Sequence, residues 1–452
     1  MRKLIVIANE QYVRNLVQAG AFAGIEDEET YWVTGGIRLE LPVGRGQYLG
    51  QVAMDKERRD QYTRLRQLML MSYRDRSETQ RIKLEMRSSE ERDQLARRAT
   101  RRWVRREVKR TLKAIGPNPE LARIIDEVKP DVLIAPSGGV DALVYDAVRS
   151  AREADVFSLV LVFNWDNLSS KGAFPVPPDH LAVVGPQSVD HAWQIHRYPR
   201  EQVSVLGGPY IDSHFHHALG STESPFPFRY VLFAGCLMPF DELTPMRELD
   251  QLIEDERLDL KVVYRPHPQR RPRKRDDRID ESEFRHVVID PQVRDSYLAN
   301  YGAKPDWSRP LPALDYYPKL LENAEFVICP LSTMVLESAI FERRVLVIAY
   351  HDGIHRDSPG VVVGYDHFQG MDRIPGLEMC RQAEDMVRLF RTLAANTRPL
   401  GVSMREAITP WIYHDERPYS ERLAGLLGEL AERYQLGDGV ALRPPPSAVV
   451  GA

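Results

Sequence analysis

The chain has 452 residues, with 61 Lys and Arg against 65 Asp and Glu and a formal net charge of -4. That length exceeds one ordinary core and predicts two domains of about 200 residues each, while 43% hydrophobic and 28% charged residues are the proportions of a folded soluble chain. The near balance of charge gives no global pull toward nucleic acid, the three cysteines are too scattered for a disulfide framework or a zinc site, and no apolar run approaches the roughly 20 residues of a membrane span.

The first run, LIVIA (4–8), is too short for the apolar segment of a signal peptide and reads as a buried strand of a protein kept inside the cell. Cys236, Cys329 and Cys380 are then expected as free thiols in a reducing cytoplasm. A helical stretch near Glu10–Ala19 follows. Residues 55–113 are helical in character, dense in charge and without a strand candidate, which predicts a helical insertion. Its last part, RRATRRWVRREVKRTLK (97–113), sets its arginines and lysines in a broad basic stripe on one helix. The alternation resumes with DVLIAPSGG (131–139), FSLVLVF (157–163), HLAVVG (180–185) and VSVLGGP (203–209). Short, continuously apolar strands separated by helices predict a parallel sheet covered on both faces.

HALGSTESPFPFR (217–229) interrupts that rhythm and reads as a linker. Beyond it come YVLFAG (230–235), LKVVYRPHP (260–268), HVVID (286–290), FVICP (326–330) and VLVIAY (345–350), a second α/β domain over 230–410. A helix is expected over 411–436, and the Pro- and Ala-rich end over 437–452 as disordered. The N-terminal domain takes residues 1–216.

Two motifs in the second half carry chemistry. VVYRPHP (262–268) is a buried strand ending in Arg265 and His267, and ligands of open α/β sheets bind at the carboxyl ends of strands. Arg265 and His267 there can donate to a pyrophosphate; a structural histidine beside a surface arginine fits the same spacing. FVICPLSTMVLESAIFERR (326–344) is a strand, a turn and a helix opened by Ser332 or Thr333. Its first N–H groups can hold a phosphate, and Glu337 one turn on can accept from a ribose diol. Simple capping and a helix-dipole charge are the plain alternatives.

RPHP followed by STxxxE before a second buried strand resembles the nucleotide lobe of the CDP-glycerol glycerophosphotransferase family and its glycosyltransferase-like relatives. FNWDNLSSKGAFPVPPDHLAVVGPQSVDHAWQIHRYPREQVSVLGGPYID (163–212) and YHDERPYSERL (413–423) are similar to segments of surface-polysaccharide members of that superfamily. The resemblance covers about 163–212 and 260–423 and implies two Rossmann-like doubly wound lobes of GT-B type, with a helical insertion in the N-terminal lobe. Glycerophosphotransferases proper carry a His-Gly pair where this chain reads Asn164-Trp165-Asp166-Asn167. That departure favours sugar transfer over polyol-phosphate transfer.

On this reading Asp166, at a strand's carboxyl end, is the general base for the acceptor hydroxyl, with Glu10 as second candidate. Asn167 organises the same loop, Lys171 meets a phosphate or solvent, and Gly138 and Gly139 either admit a ligand or make a tight turn. Gly235 would let a donor phosphate approach the backbone. The donor is a nucleotide-activated sugar on the C-terminal lobe, held by Gly235, Arg265, His267, Ser332, Thr333 and Glu337, and the acceptor is a hydroxyl group, lipid-linked in one version. No cofactor and no metal are expected, since His214, His216 and His217 lack a carboxylate at ligand spacing. The 97–113 stripe, with Trp103, either lies on an anionic membrane at the inner face or is a solvated helix face paired with the acidic 85–93 stretch. QRRPRKRDDR (269–278) is read as a loop near the donor. Neither basic cluster has the aromatic interleaving of single-strand nucleic-acid binding. Polyol-phosphate transfer, sugar-nucleotide 2-epimerisation and a non-catalytic scaffold are the rival readings.

Overall fold

The computed structural model describes residues 1–37, 44–86, 89–217, 223–268, 270, 278–300, 312–396 and 399–437. The expected tail and most of the 269–278 loop therefore lie outside the described residues. The chain forms two compact units, one of Met1–Asp212 together with the chain from Thr409 onward, the other Ser213–Ile408. They divide within the helix Pro209–His217, upstream of the expected linker 217–229, of which 218–222 lie outside the described residues.

The first unit is built on β1 (Lys3–Ile7), β2 (Thr30–Thr34), β3 (Gln47–Gln51), β4 (Val132–Ser137), β5 (Phe157–Val162), β6 (His180–Val183) and β7 (Val203–Val205). They form one sheet in the order β3-β2-β1-β4-β5-β6-β7, and every pairing is parallel, with Leu4 beside Leu133 and Val160 beside Leu181. β1, β4 and β5 are buried along their whole length because helices cover both faces. Lys3 is tolerated in that interior because its ammonium reaches Asp27 at 2.8 Å.

The region 55–113 holds no strand among its described residues and forms the helices Lys56–Met71, Glu78–Met86, Glu90–Arg98 and Arg101–Ile115. The stripe 97–113 is not one helix. It breaks at Ala99–Thr100, where Thr100 caps the next helix by accepting from the Trp103 N–H at 3.4 Å. Val104 and Val108 point into the core, so the helix Arg101–Ile115 is amphipathic.

The second unit has β8 (Tyr230–Ala234), β9 (Lys261–Arg265), β10 (Val287–Ile289), β11 (Val327–Pro330), β12 (Val345–Ile348) and β13 (Leu377–Cys380). Their order is β10-β9-β8-β11-β12-β13, again all parallel. The fold class read from the sequence, two parallel α/β sheets with a helical insertion in the first, is therefore the observed one. Strands β2, β3 and β13 went unnoticed in the sequence. The three cysteines are buried free thiols.

The expected C-terminal helix runs Tyr419–Tyr434, and it belongs to the first unit. The Tyr413 N–H donates to the Val184 carbonyl at 2.9 Å. Arg422, 3% exposed, pairs with Asp212 at 2.8 Å and Asp415 at 3.3 Å, and Leu423, Leu427 and Leu430 pack on the face that carries Ile5 and Trp32.

Candidate functional site

In the second sheet β8 is followed by β9 on one side, while the chain later returns to β11 on the other. The winding reverses between β8 and β11, and the carboxyl ends there form the crevice in which open α/β sheets bind ligands. Neighbouring strands lie about 4.8 Å apart, so the loops after β9, β8 and β11 stand side by side. Gly235 follows β8, His267 follows β9, and Ser332 follows β11. The two motifs that the sequence singled out thus converge.

Arg265 closes β9 and is the best-anchored group of the three loops. Its guanidinium pairs with Asp290, at the end of β10, and lies 4.0 Å over the Tyr317 ring. Asp290 is fully buried and also accepts from the Tyr316 hydroxyl at 2.7 Å. Glu337 sits in the helix Thr333–Ile340, is 7% exposed, and interacts electrostatically with Arg265. Burial pushes its carboxyl up to about 7, partly opposed by the Arg265 charge.

Burial, reinforced by Arg270, pushes His267 down to about 4. At neutral pH it is an uncharged ring with one N–H to donate, and the positive charge at this edge comes from arginine. Arg270 pairs with Glu242 at 2.8 Å, and Glu242 also accepts from the Cys236 N–H at 2.8 Å and the Tyr264 hydroxyl at 2.5 Å. A Cβ on Gly235 would stand 3.0 Å from the Glu242 carboxylate and 3.3 Å from the Pro266 Cα. The lack of a side chain at Gly235 is what lets these loops close up. Ser332 occupies the N-cap position but makes no side-chain cap bond; its side chain hydrogen-bonds the Cys329 thiol instead. Thr333 is the first helical residue.

In the first sheet the reversal falls between β1 and β4. Asn9 and Glu10 follow β1; Ser137 ends β4, and Gly138 to Asp141 follow it. Asp141, which the sequence reading missed, accepts from the Tyr12 hydroxyl (2.7 Å), the Ser137 hydroxyl (2.7 Å) and the Asn9 side-chain amide (3.1 Å). Burial raises its carboxyl, and those three donors oppose the rise. The Gly138 N–H in turn donates to the Tyr12 oxygen at 3.0 Å. Glu10 begins a short helical turn, Glu10–Tyr12, and is partly exposed.

The loop after β5 holds Asp166, Asn167 and Lys171. Asn167 is fully buried and its side-chain oxygen accepts from the Asn164 N–H at 2.9 Å. Asp166 is partly exposed and accepts from the Ser170 hydroxyl at 2.7 Å. Lys171 is exposed, and its carbonyl accepts from Arg66 at 3.4 Å. The two first-unit loops touch. A Cβ on Gly138 would lie 3.0 Å from the Asn167 side-chain oxygen, and one on Gly139, which sits at φ +69, would lie 2.9 Å from the Gly172 Cα. These glycines bring the Asp141 and Asp166 loops together.

Among the described residues no group of three or more His, Cys, Asp or Glu could hold a metal ion. His214, His216 and His217 lie on the helix Pro209–His217, where His214 is buried against the Phe341 ring. Among the described residues no helix is long and apolar enough to cross a membrane.

Solved structures share this two-sheet plan. A UDP-GlcNAc 2-epimerase from Methanocaldococcus jannaschii aligns with 94% of this chain and 99% of its own at 10% identity and a TM-score of 0.50. The chain has the GT-B fold. S. aureus MnaA in complex with UDP aligns at 12% identity, TM-score 0.48, over 96% of this chain and 97% of its own. The wall teichoic acid polymerase TagF aligns at 10% identity, TM-score 0.47, over 96% and 90%. No protein-family model and no curated protein matches the sequence.

Proposed function

We propose that this GT-B protein is a metal-independent glycosyltransferase that moves a sugar from a nucleoside diphosphate donor to a hydroxyl acceptor. The observation that carries the reading is the convergence of Arg265, His267 and the Ser332–Glu337 turn on one strand-end crevice of the second unit. Backbone N–H groups at the start of helix Thr333–Ile340 and the His267 N–H would meet the diphosphate. Glu337, titrating near neutrality, would accept from the ribose diol. Gly235, by leaving room for Glu242 and Pro266, would set the spacing of the β8 and β9 loops around the same ligand.

In the first unit Asp166, partly exposed on its loop, would take the acceptor proton as the hydroxyl oxygen attacks the anomeric carbon. The bond from that carbon to the diphosphate oxygen breaks, and the departing charge is met by the helix N-terminus and the Arg265 edge. Asn167 would fix the loop, Lys171 would attract a phosphate on the acceptor, and Glu10 is the alternative base. A lipid-linked acceptor, a contact of the Arg101–Ile115 helix with an anionic membrane and residence in the cytoplasm belong to the same proposal.

Thermal-shift titration with UDP, CDP, CMP, GDP and TDP identifies the base, because a ligand of the native state raises the melting temperature. His267→Ala and Glu337→Ala should each abolish that shift and the transfer while the fold survives. Unchanged nucleotide affinity in both variants would overturn the donor site. Conversion of UDP-GlcNAc to UDP-N-acetylmannosamine without any acceptor would replace transfer by 2-epimerisation, the activity named for the M. jannaschii protein.

A further inference from the structure

The amino edge of the second sheet, away from the strand-end crevice, holds a cavity of about 580 Å³. Its walls come from the residues that lead into the strands. Arg229 precedes β8, Leu260 precedes β9, Glu325 precedes β11, and Arg343 and Arg344 precede β12. The end of the helix Met386–Ala395 and the segment 399–403 complete it. Glu342 ties that segment down: its carboxylate accepts from the Ser403 hydroxyl at 2.6 Å and the Met404 N–H at 2.9 Å. A cavity of this size falls in the range of small-molecule sites, roughly 300–1,000 Å³.

All but one of the charged groups on this wall are satisfied. Arg229 pairs with Glu325 at 2.7 Å, Glu342 holds the 399–403 segment, and Arg344 is engaged in interactions of its own. The carbonyls that end the helix Thr333–Ile340 are taken as well. Ser338 accepts from the Arg343 N–H at 3.0 Å, Ala339 from the Glu342 N–H at 3.1 Å, and Ile340 from the Arg405 side chain at 3.0 Å. The exception is the Arg343 guanidinium. Arg343 is half-buried, its Nε is buried without an acceptor, and the side chain makes no hydrogen bond or ion pair among the described residues. A donor that has lost its water without gaining an acceptor is unfavourable. On the same cavity Leu260, Phe341 and Leu393, all buried side chains, form an apolar wall.

A planar anionic acceptor and an apolar body are thus wanted in one place. We propose that this cavity binds an organic carboxylate with an apolar body, the carboxylate on Arg343 and the body against Leu260, Phe341 and Leu393. A carboxylate matches a guanidinium edge through two parallel hydrogen bonds, which supplies the acceptor that Nε lacks. The apolar wall selects a body that leaves water. The site is independent of the transferase reading, because it uses none of the strand-end residues.

Calorimetric titration of the full-length protein with 4-phenylbutyrate tests it, alongside 4-phenylbutanol, acetate and inorganic phosphate. Saturable binding at one site is expected for 4-phenylbutyrate, with each of the other three weaker by about tenfold or more. Arg343→Gln should weaken 4-phenylbutyrate by about tenfold. It should not lower the melting temperature of the unliganded protein, since no bond among the described residues is lost. Saturating UDP should leave the affinity as it was. The proposal is overturned if 4-phenylbutyrate does not saturate, if 4-phenylbutanol or inorganic phosphate binds equally well, or if UDP displaces it. It is also overturned if Arg343→Gln lowers the melting temperature and keeps full affinity, which would make Arg343 a packing residue only. Should that variant fail to fold, Val402→Trp takes its place. Val402 lines the same cavity from its exposed side, 59% exposed, and a bulky ring there should weaken 4-phenylbutyrate to a similar degree.

Discussion

The two sheets place their strand-end loops alike but furnish them differently. In the first unit the carboxylate at the winding reversal, Asp141, is surrounded by donors from Tyr12, Ser137 and Asn9. In the second the matching edge holds a buried arginine, a carboxyl titrating near neutrality and a helix N-terminus without a side-chain cap. A closed network of donors around a buried carboxylate is suited to holding a hydroxyl in one orientation. A charged, open edge is suited to an anion, whose arrival supplies what the protein leaves out. One fold carries two different strand-end surroundings by changing which residues end its strands.

Arg265 gives the largest expected effect and the sharpest test of that contrast. Arg265→Met leaves Asp290 charged, fully buried and without its partner. A loss of about 3–5 kcal/mol is expected from breaking one side of a buried pair, read from the urea midpoint. A loss below about 1 kcal/mol would show that Asp290 finds other compensation and that the charged edge is not organised by this pair.

Glu337 comes next, and its sign is fixed by the raised carboxyl. Its titration contributes stability fully below the ordinary glutamate range near 4.5, and that stability is lost as pH rises to about 7. The span corresponds to about 3 kcal/mol at most. Glu337→Gln removes the titration, so the variant should gain on the unmodified protein between pH 5 and pH 8 by roughly that amount. Denaturation at the two pH values checks it, and an equal difference at both would place Glu337 in contact with water. Asp141→Asn probes the other sheet. It keeps the shape but sets an amide against the Asn9 donor, at a cost of about 1–3 kcal/mol. Unfolding curves that coincide with the unmodified protein would mean that the first-unit network is not closed.

Strands whose faces are both covered were legible in the sequence, since KLIVI and VICP admit no polar alternation. Of the three strands that escaped notice, β3 and β13 lie at sheet edges and β2, which reads TYWVT, lies one strand in. β3 reads QYLGQ, with its ends exposed, and β13 reads LEMC, because an edge strand is covered and paired on fewer sides. The candidate site divides in the same way. Arg265, His267 and the Ser332–Glu337 turn announce themselves by local spacing. Asp141, Asp290 and Glu242 acquire their meaning from partners brought by folding, 129 residues away for Tyr12 and Asp141, 25 for Arg265 and Asp290, 22 for Tyr264 and Glu242. The return of the C-terminal segment is the extreme case, with Arg422 reaching Asp212 across 210 residues.

The smallest expected effect falls on Lys171, and it separates binding from folding. Its side chain is exposed and its backbone carbonyl alone ties the loop to Arg66. Lys171→Ala keeps that carbonyl, so stability should hold within about 0.5 kcal/mol. If the ammonium attracts an acceptor phosphate, the KM for a phosphorylated acceptor rises severalfold while kcat and nucleotide affinity stay, and the rise shrinks as salt screens the charge. A change that salt does not touch would make Lys171 a packing residue of the Asp166 loop, and the first unit would then present its acceptor side without any charge of its own from that position.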